Sequence, residues 1–148
     1  MPTKPTTIKI TSKAESFEIF AVCTSLNEMQ MCVKLNQLLH IDLQRKQPIT
    51  ITLKKEEIQP LCFSADDLLR RITVTLIDNK SVAPTLDFLK NISFFIKISP
   101  INSESQINEI EQTLASCNDF LFIQKIELGK TLLSKQQSAT FTSIFQYV

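Results

Sequence analysis

Four cysteines, Cys23, Cys32, Cys62 and Cys117, and a single histidine, His40, are the residues whose types allow nucleophilic or metal chemistry. A cysteine nucleophile needs a thiolate in an electropositive, accessible place, with a base within hydrogen-bond reach. Cys32 and His40 stand eight residues apart on what reads as one helix. About 12 Å of axial rise then keeps them from touching. His40 meets Cys23, Cys62 or Cys117 only if the tertiary fold brings them together. Structural zinc requires Cys or His paired at short spacing, and the chain has no CxxC, CxxH or HxxxH.

Two carboxylate pairs, Glu56-Glu57 and Asp66-Asp67, are each adjacent in sequence and fall in predicted loops. Solvated charge is the ordinary explanation there, because a hydrolytic pair sits in a cleft at a defined separation. Three basic doublets, Arg45-Lys46, Lys54-Lys55 and Arg70-Arg71, lie near predicted strand ends. If those ends met on one sheet edge, they would form a local patch for phosphates. The favoured alternative is that they are charged strand ends that discourage edge-to-edge aggregation. Sixteen Lys and Arg against fifteen Asp and Glu leave a net charge of +1, so no global field holds a polyanion. Gly129 is the sole glycine, which excludes a glycine-rich phosphate loop. No catalytic, cofactor-binding or metal-ligating residue is assigned, no cofactor is expected, and the expectation leans away from an enzyme.

The elements that would position these groups follow from period and punctuation. Residues 17–23 are aromatic and β-branched and predict a strand. Ser25 with Glu28 reads as a capping box opening a helix to about His40, with Met29, Cys32, Val33, Asn36 and Leu39 on its apolar stripe and Leu35 and Leu38 beside it, so that a wide arc is buried. Short strands are expected at 41–45, 49–53, 61–63 and 72–77, with Asp66-Asp67 marking a turn. Pro84 suits the start of a short helix over 85–91. A very apolar strand follows at 92–98, ended by Pro100. Ser103 with Gln106 caps a second helix, whose stripe is Ile107, Ile110, Leu114 and Cys117. The last strand is expected over 120–128.

Strands bunched in the middle with a helix towards each end predict an α+β fold. The expected form is a two-layer sandwich, helices packed on one face of a mainly antiparallel sheet. A crossover from strand 92–98 through the second helix to strand 120–128 would make the sheet mixed. The 148 residues suit one domain over 1–148, with a flexible lead over 1–15 and a tail after 129 of open conformation. Ile8-Lys9-Ile10 could add an edge strand. Without a signal peptide or a membrane-length apolar run, the expectation is a cytoplasmic protein that keeps its cysteines reduced and makes no membrane contact.

The block from Phe17-Glu18-Ile19 through Met31-Cys32-Val33-Lys34-Leu35-Asn36 to Leu43-Gln44-Arg45 resembles the N-terminal half of the IPExxxVDY family, as does Leu76-Ile77-Asp78-Asn79-Lys80-Ser81 a later turn. The family's signature would fall on residues 86–94, where Leu86, Ile92 and Phe94 keep its apolar character. Asp87 and Phe88 stand in place of its proline and glutamate, and Ser93 in place of its aspartate. The resemblance implies a bacterial protein, chiefly of Bacteroidota, and brings no assigned activity.

Phe94 and Phe95 must point to opposite faces of one strand, and Phe120 and Leu121 likewise. Both sheet faces therefore carry apolar residues there. Either a partner covers the face opposite the helices, or the C-terminal tail folds back on it with Phe141, Ile144 and Phe145. The favoured expectation is a non-catalytic protein working by protein–protein contact, with itself or another protein, as a homodimer through the sheet. The alternative is a nucleic-acid-binding accessory protein using the basic doublets.

Overall fold

The computed structural model describes residues 16–53, 56–82, 91–126, 142, 144–146 and 148. Strand β1 (Glu18–Thr24) leads into helix α1 (Glu28–Leu39), and then β2 (Gln44–Arg45), β3 (Ile51–Leu53), β4 (Glu56–Ile58), β5 (Cys62–Asp67) and β6 (Ile72–Asp78) follow. A 3₁₀ turn at Asn79–Ser81 precedes β7 (Phe94–Ser99), α2 (Glu104–Ala115) and β8 (Phe120–Ile126). Residues 85–90 of the expected helix, the edge strand at 8–10 and most of the tail lie outside the described residues.

Six strands form one sheet in the order β2-β5-β6-β7-β1-β8, and β3 pairs with β4 in a separate hairpin. Every strand pairing among the described residues is antiparallel. The β7-α2-β8 segment is a crossover, yet the sheet is not mixed: β1 lies between β7 and β8 and runs antiparallel to both. The fold is thus α+β, with both helices on one face.

Local chemistry explains the helix bounds. Asn27, rather than Ser25, caps α1: its side chain accepts from the Gln30 amide at 2.9 Å, and Gln30 Oε1 accepts from the Asn27 amide at 3.0 Å. Ser25 is displaced from that role because the Leu26 amide donates to Thr24 Oγ1, which holds the chain in a turn for two residues beyond the strand. The buried stripe of α1 is Met31, Leu35 and Leu39, spaced i, i+4, i+8, with Cys32 beside Met31. Met29 and Val33, expected inside, are 69 % and 53 % exposed. On α2 the expectation holds in part: Ser103 accepts from the Gln106 amide at 3.1 Å and Ile107, Ile110 and Leu114 are buried, but the Gln106 side chain donates to the Arg70 carbonyl instead of reaching back to Ser103, and Cys117 lies beyond the last turn.

Two further differences concern acidic residues. Glu56-Glu57 lie on β4, paired across to Leu53 and Thr52, and not in a loop. Asp66-Asp67 end β5, and the reversal falls after them at residues 68–71. Asp67 accepts from the Arg70 amide at 3.1 Å and from the Arg70 guanidinium, so it closes the turn from the strand side.

Alternation along the central strands builds two cores. Phe20, Val22, Val74, Leu76, Phe94 and Ile96 face the helices. Ile19, Ala21, Ile77, Phe95 and Ile126 face the other way, where Ile51 and Ile58 of the hairpin and Ile144, Phe145 and Val148 of the tail cover them. Of the two covers considered for that face, the tail is the one present. The Phe145 ring packs edge-on to Phe95 with centroids 5.0 Å apart. Phe145→Ala should lower unfolding free energy by about 3–5 kcal/mol, as for a buried aromatic. Phe122→Ala, at an exposed ring, should cost far less. Urea denaturation of both variants checks the difference.

Candidate functional site

The C-terminal ends of β1 and β6 meet the N-terminus of α1 and the start of β8 at one corner, where several side chains form a connected polar network. Ser93 stitches the sheet ends together: its hydroxyl donates to the Thr24 carbonyl at 2.9 Å and accepts from the Thr24 amide at 3.0 Å. Thr24 in turn donates through Oγ1 to the Asp119 carbonyl at 2.7 Å. Asn79 Nδ2 donates to the Ile92 carbonyl at 2.7 Å, and Ser81 Oγ donates to the Asp78 carbonyl at 2.6 Å. These bonds satisfy strand-end backbone groups that would otherwise be buried bare.

Asp78 sits inside this network at 7 % exposure, with Oδ1 accepting from the Lys80 amide at 3.0 Å. Burial raises its carboxyl above the ordinary range, and the Glu28 carboxylate of α1, within hydrogen-bonding reach, pushes it further the same way. The Lys80 amide and ammonium oppose the shift. Glu28 also helps lift the Cys32 thiol, after burial, which is the larger cause. Glu28 entered the sequence reading as a capping acid and Asp78 as part of a turn, and only the packing of α1 on the end of β6 brings them together.

On the outside of the same corner lies a groove of about 380 Å³, with Leu26, Met29 and Val33 among its walls. Lys34 Nζ and the Asp119 carboxylate, 2.8 Å apart, close one side. Its hydrogen bond to Asp119 holds the Lys34 ammonium above the usual lysine value. The groove is apolar with one charge of each sign.

The residues singled out for chemistry do not converge. All four cysteines are unbridged thiols. Burial pushes Cys62 up to about 11, against the pull of Lys46 and Lys97, so it is a neutral thiol at ordinary pH. His40 is the C-cap of α1, exposed and in the left-handed conformation (φ 58°), with its amide bonded to the Asn36 carbonyl. Its position is structural: it turns the chain out of the helix. Among the described residues, no three His, Cys, Asp or Glu side chains group to hold a metal ion. Asp66 accepts from Thr73 Oγ1 at 2.8 Å across the β5-β6 pair.

The basic doublets separate as well. Arg45 pairs opposite Phe63, four residues along β5 from Asp67, whereas Arg70-Arg71 follow the far end of that strand. About 13 Å of strand lies between. Arg70 Nη1 donates to the Leu39 carbonyl at 2.9 Å and to Asp67, so its guanidinium is committed to the turn and the end of α1. Lys54 and Lys55 lie outside the described residues. Phe94, Phe95 and Phe120 are core residues, and only Phe122 of the four has an exposed ring.

A cation that the sequence did not single out lies on the tail-covered face. Lys97 is 7 % exposed, donates from Nζ to the Val148 carbonyl at 3.3 Å, and rests 5.1 Å from the Phe17 ring centroid. Its place between Phe95 and Ile98 hid it, since a charged residue at an inward position on a strand gives no signal of its own.

Comparison with protein-family models and with curated proteins finds no match to the chain. No helix among the described residues is long and apolar enough to cross a membrane.

Two outcomes follow from these positions. His40→Gly should raise stability by about 0.5–1 kcal/mol, because glycine removes the left-handed strain at some cost in chain entropy. Thermal unfolding reads it. Asp78 has its folded pKa raised, so its contribution to stability is full below the ordinary carboxyl value and is lost as pH rises through the folded value. Asp78→Asn should flatten that part of the pH–stability curve, measured by denaturant titration at stepped pH.

Proposed function

We propose that this protein works by protein–protein contact rather than by catalysis, and that it associates with itself. The reading is carried by the apolar surface at the Lys34–Asp119 corner. Met29 and Val33 lie exposed along α1, and Leu121, two residues beyond Asp119, is 77 % exposed. The apolar side chains Leu26, Met29 and Val33 beside the one ion pair fit a contact surface, with an apolar centre and a polar rim. The neutral Cys62 thiol and the capping role of His40 also favour contact over nucleophilic chemistry. The resemblance to the IPExxxVDY family, carried by residues 17–45 and 76–81, adds no activity to this reading. The nucleic-acid alternative loses its main support because Arg45 and Arg70 stand at opposite ends of β5.

Light scattering after size exclusion, from about 10 μM to about 1 mM, tests self-association. The mass should climb from the 16.9 kDa of one chain towards twice that value. A constant monomer mass across the range would remove self-association from this reading.

A further inference from the structure

We propose that two copies of this chain join through β8, strand against strand and antiparallel, about a two-fold axis at Gln124. This proposal rests on the self-association reading above and places the contact on a strand edge separate from the Lys34–Asp119 groove. Among the described residues β8 pairs with β1 alone, so it is an edge of the six-stranded sheet. An edge strand presents backbone donors and acceptors ready to bond another strand.

The length of edge on offer is set by a bulge. Cys23 pairs with Phe122 while its neighbour Thr24 pairs with Phe120, which leaves Leu121 as the extra residue, turned outward. Regular pairing against β1 therefore runs over Phe122–Ile126. Over those five residues an axis at Gln124 sets Phe122 of one copy opposite Ile126 of the other, twice. It sets Lys125 opposite Ile123, also twice, and Gln124 opposite its own equivalent. No like charges face each other, and Phe122, 43 % exposed, gains an apolar neighbour.

Charge also favours a second copy as the occupant. Lys125 is the only charged residue of β8 and pairs opposite Phe20, a residue of the helix-side core. Helix α2, on that same side, carries Glu104, Glu109 and Glu111 and no basic residue. A two-fold axis through the sheet keeps both copies of α2 on the side that Lys125 faces, so the second copy's α2 adds acidic residues and no cation to the side Lys125 already shares with its own α2. Five paired residues fall short of a standard interface of about 1,200–2,000 Å², so the dimer should form weakly, in the micromolar range or above.

Gln124 is exposed and outside both cores, so changing it leaves the fold in place. Gln124→Lys sets two ammonium groups face to face at the axis and should weaken association about tenfold or more, with far-UV dichroism and melting temperature unchanged. Gln124→Cys should give a disulfide-linked dimer on mild oxidation, which Thr52→Cys on the exposed side of β3 should not. A dimer that persists unchanged in Gln124→Lys and does not link through Gln124→Cys overturns the β8 edge while leaving self-association standing. A wild-type chain that stays monomeric at about 1 mM overturns both.

Discussion

Strand β7 cannot be left bare on either side, and most of the molecule is arranged around that fact. Phe94, Ile96 and Ile98 point to one face and Phe95 to the other, and all four are buried. One pair of helices can cover only one face of a sheet. The second face takes the β3-β4 hairpin and the residues Ile144, Phe145 and Val148, which are brought back across the sheet from the far end of the chain. Lys97 sharpens the constraint, because a cation on that covered face must keep a polar companion, and the Val148 carbonyl supplies one.

Having only one glycine places a second demand on the backbone. Left-handed positions go to His40 and Arg71, at φ 58° and 60°, where side chains add strain. Both sites are anchored by neighbouring bonds: the His40 amide reaches the Asn36 carbonyl, and the Arg71 carbonyl accepts from Asn102 Nδ2 at 3.1 Å. The Arg70-Arg71 turn, the end of α1 and the start of α2 are thereby tied into one corner, opposite the one that holds Asp78 and Glu28. The charged and imidazole groups most inviting for chemistry are spent on making turns without glycine.

Much of the secondary structure was legible in the sequence. The periods of residues 17–23, 72–77 and 120–128 and the Ser103 cap translate into β1, β6, β8 (described as far as Ile126) and α2. The errors came where two local options competed. Ser25 and Asn27 can both cap a helix, and the bond from the Leu26 amide to Thr24 Oγ1 settles the choice for Asn27. Met29 and Val33 share a plausible stripe with Cys32, but α1 is rotated towards Leu35 so that Met31 is buried and Met29 and Val33 stay exposed. Residues 56–58 show no alternation, and β4 exists because Ile51 and Ile58 together cap the Phe95 face.

From the sequence alone came the α+β class, the two-sided apolar character of residues 94–98, and the lack of any motif with close metal or nucleophile spacing. Those properties depend on residue type and on spacing within a few positions. Tertiary structure alone decided that the tail and hairpin share the second face, that Asp78 meets Glu28, that the basic doublets stand apart, and that β8 is the edge with a bulge at Leu121. Each of these joins or separates residues that lie far apart along the chain. Local periodicity carries no information about such distances; side-chain packing and strand order set them.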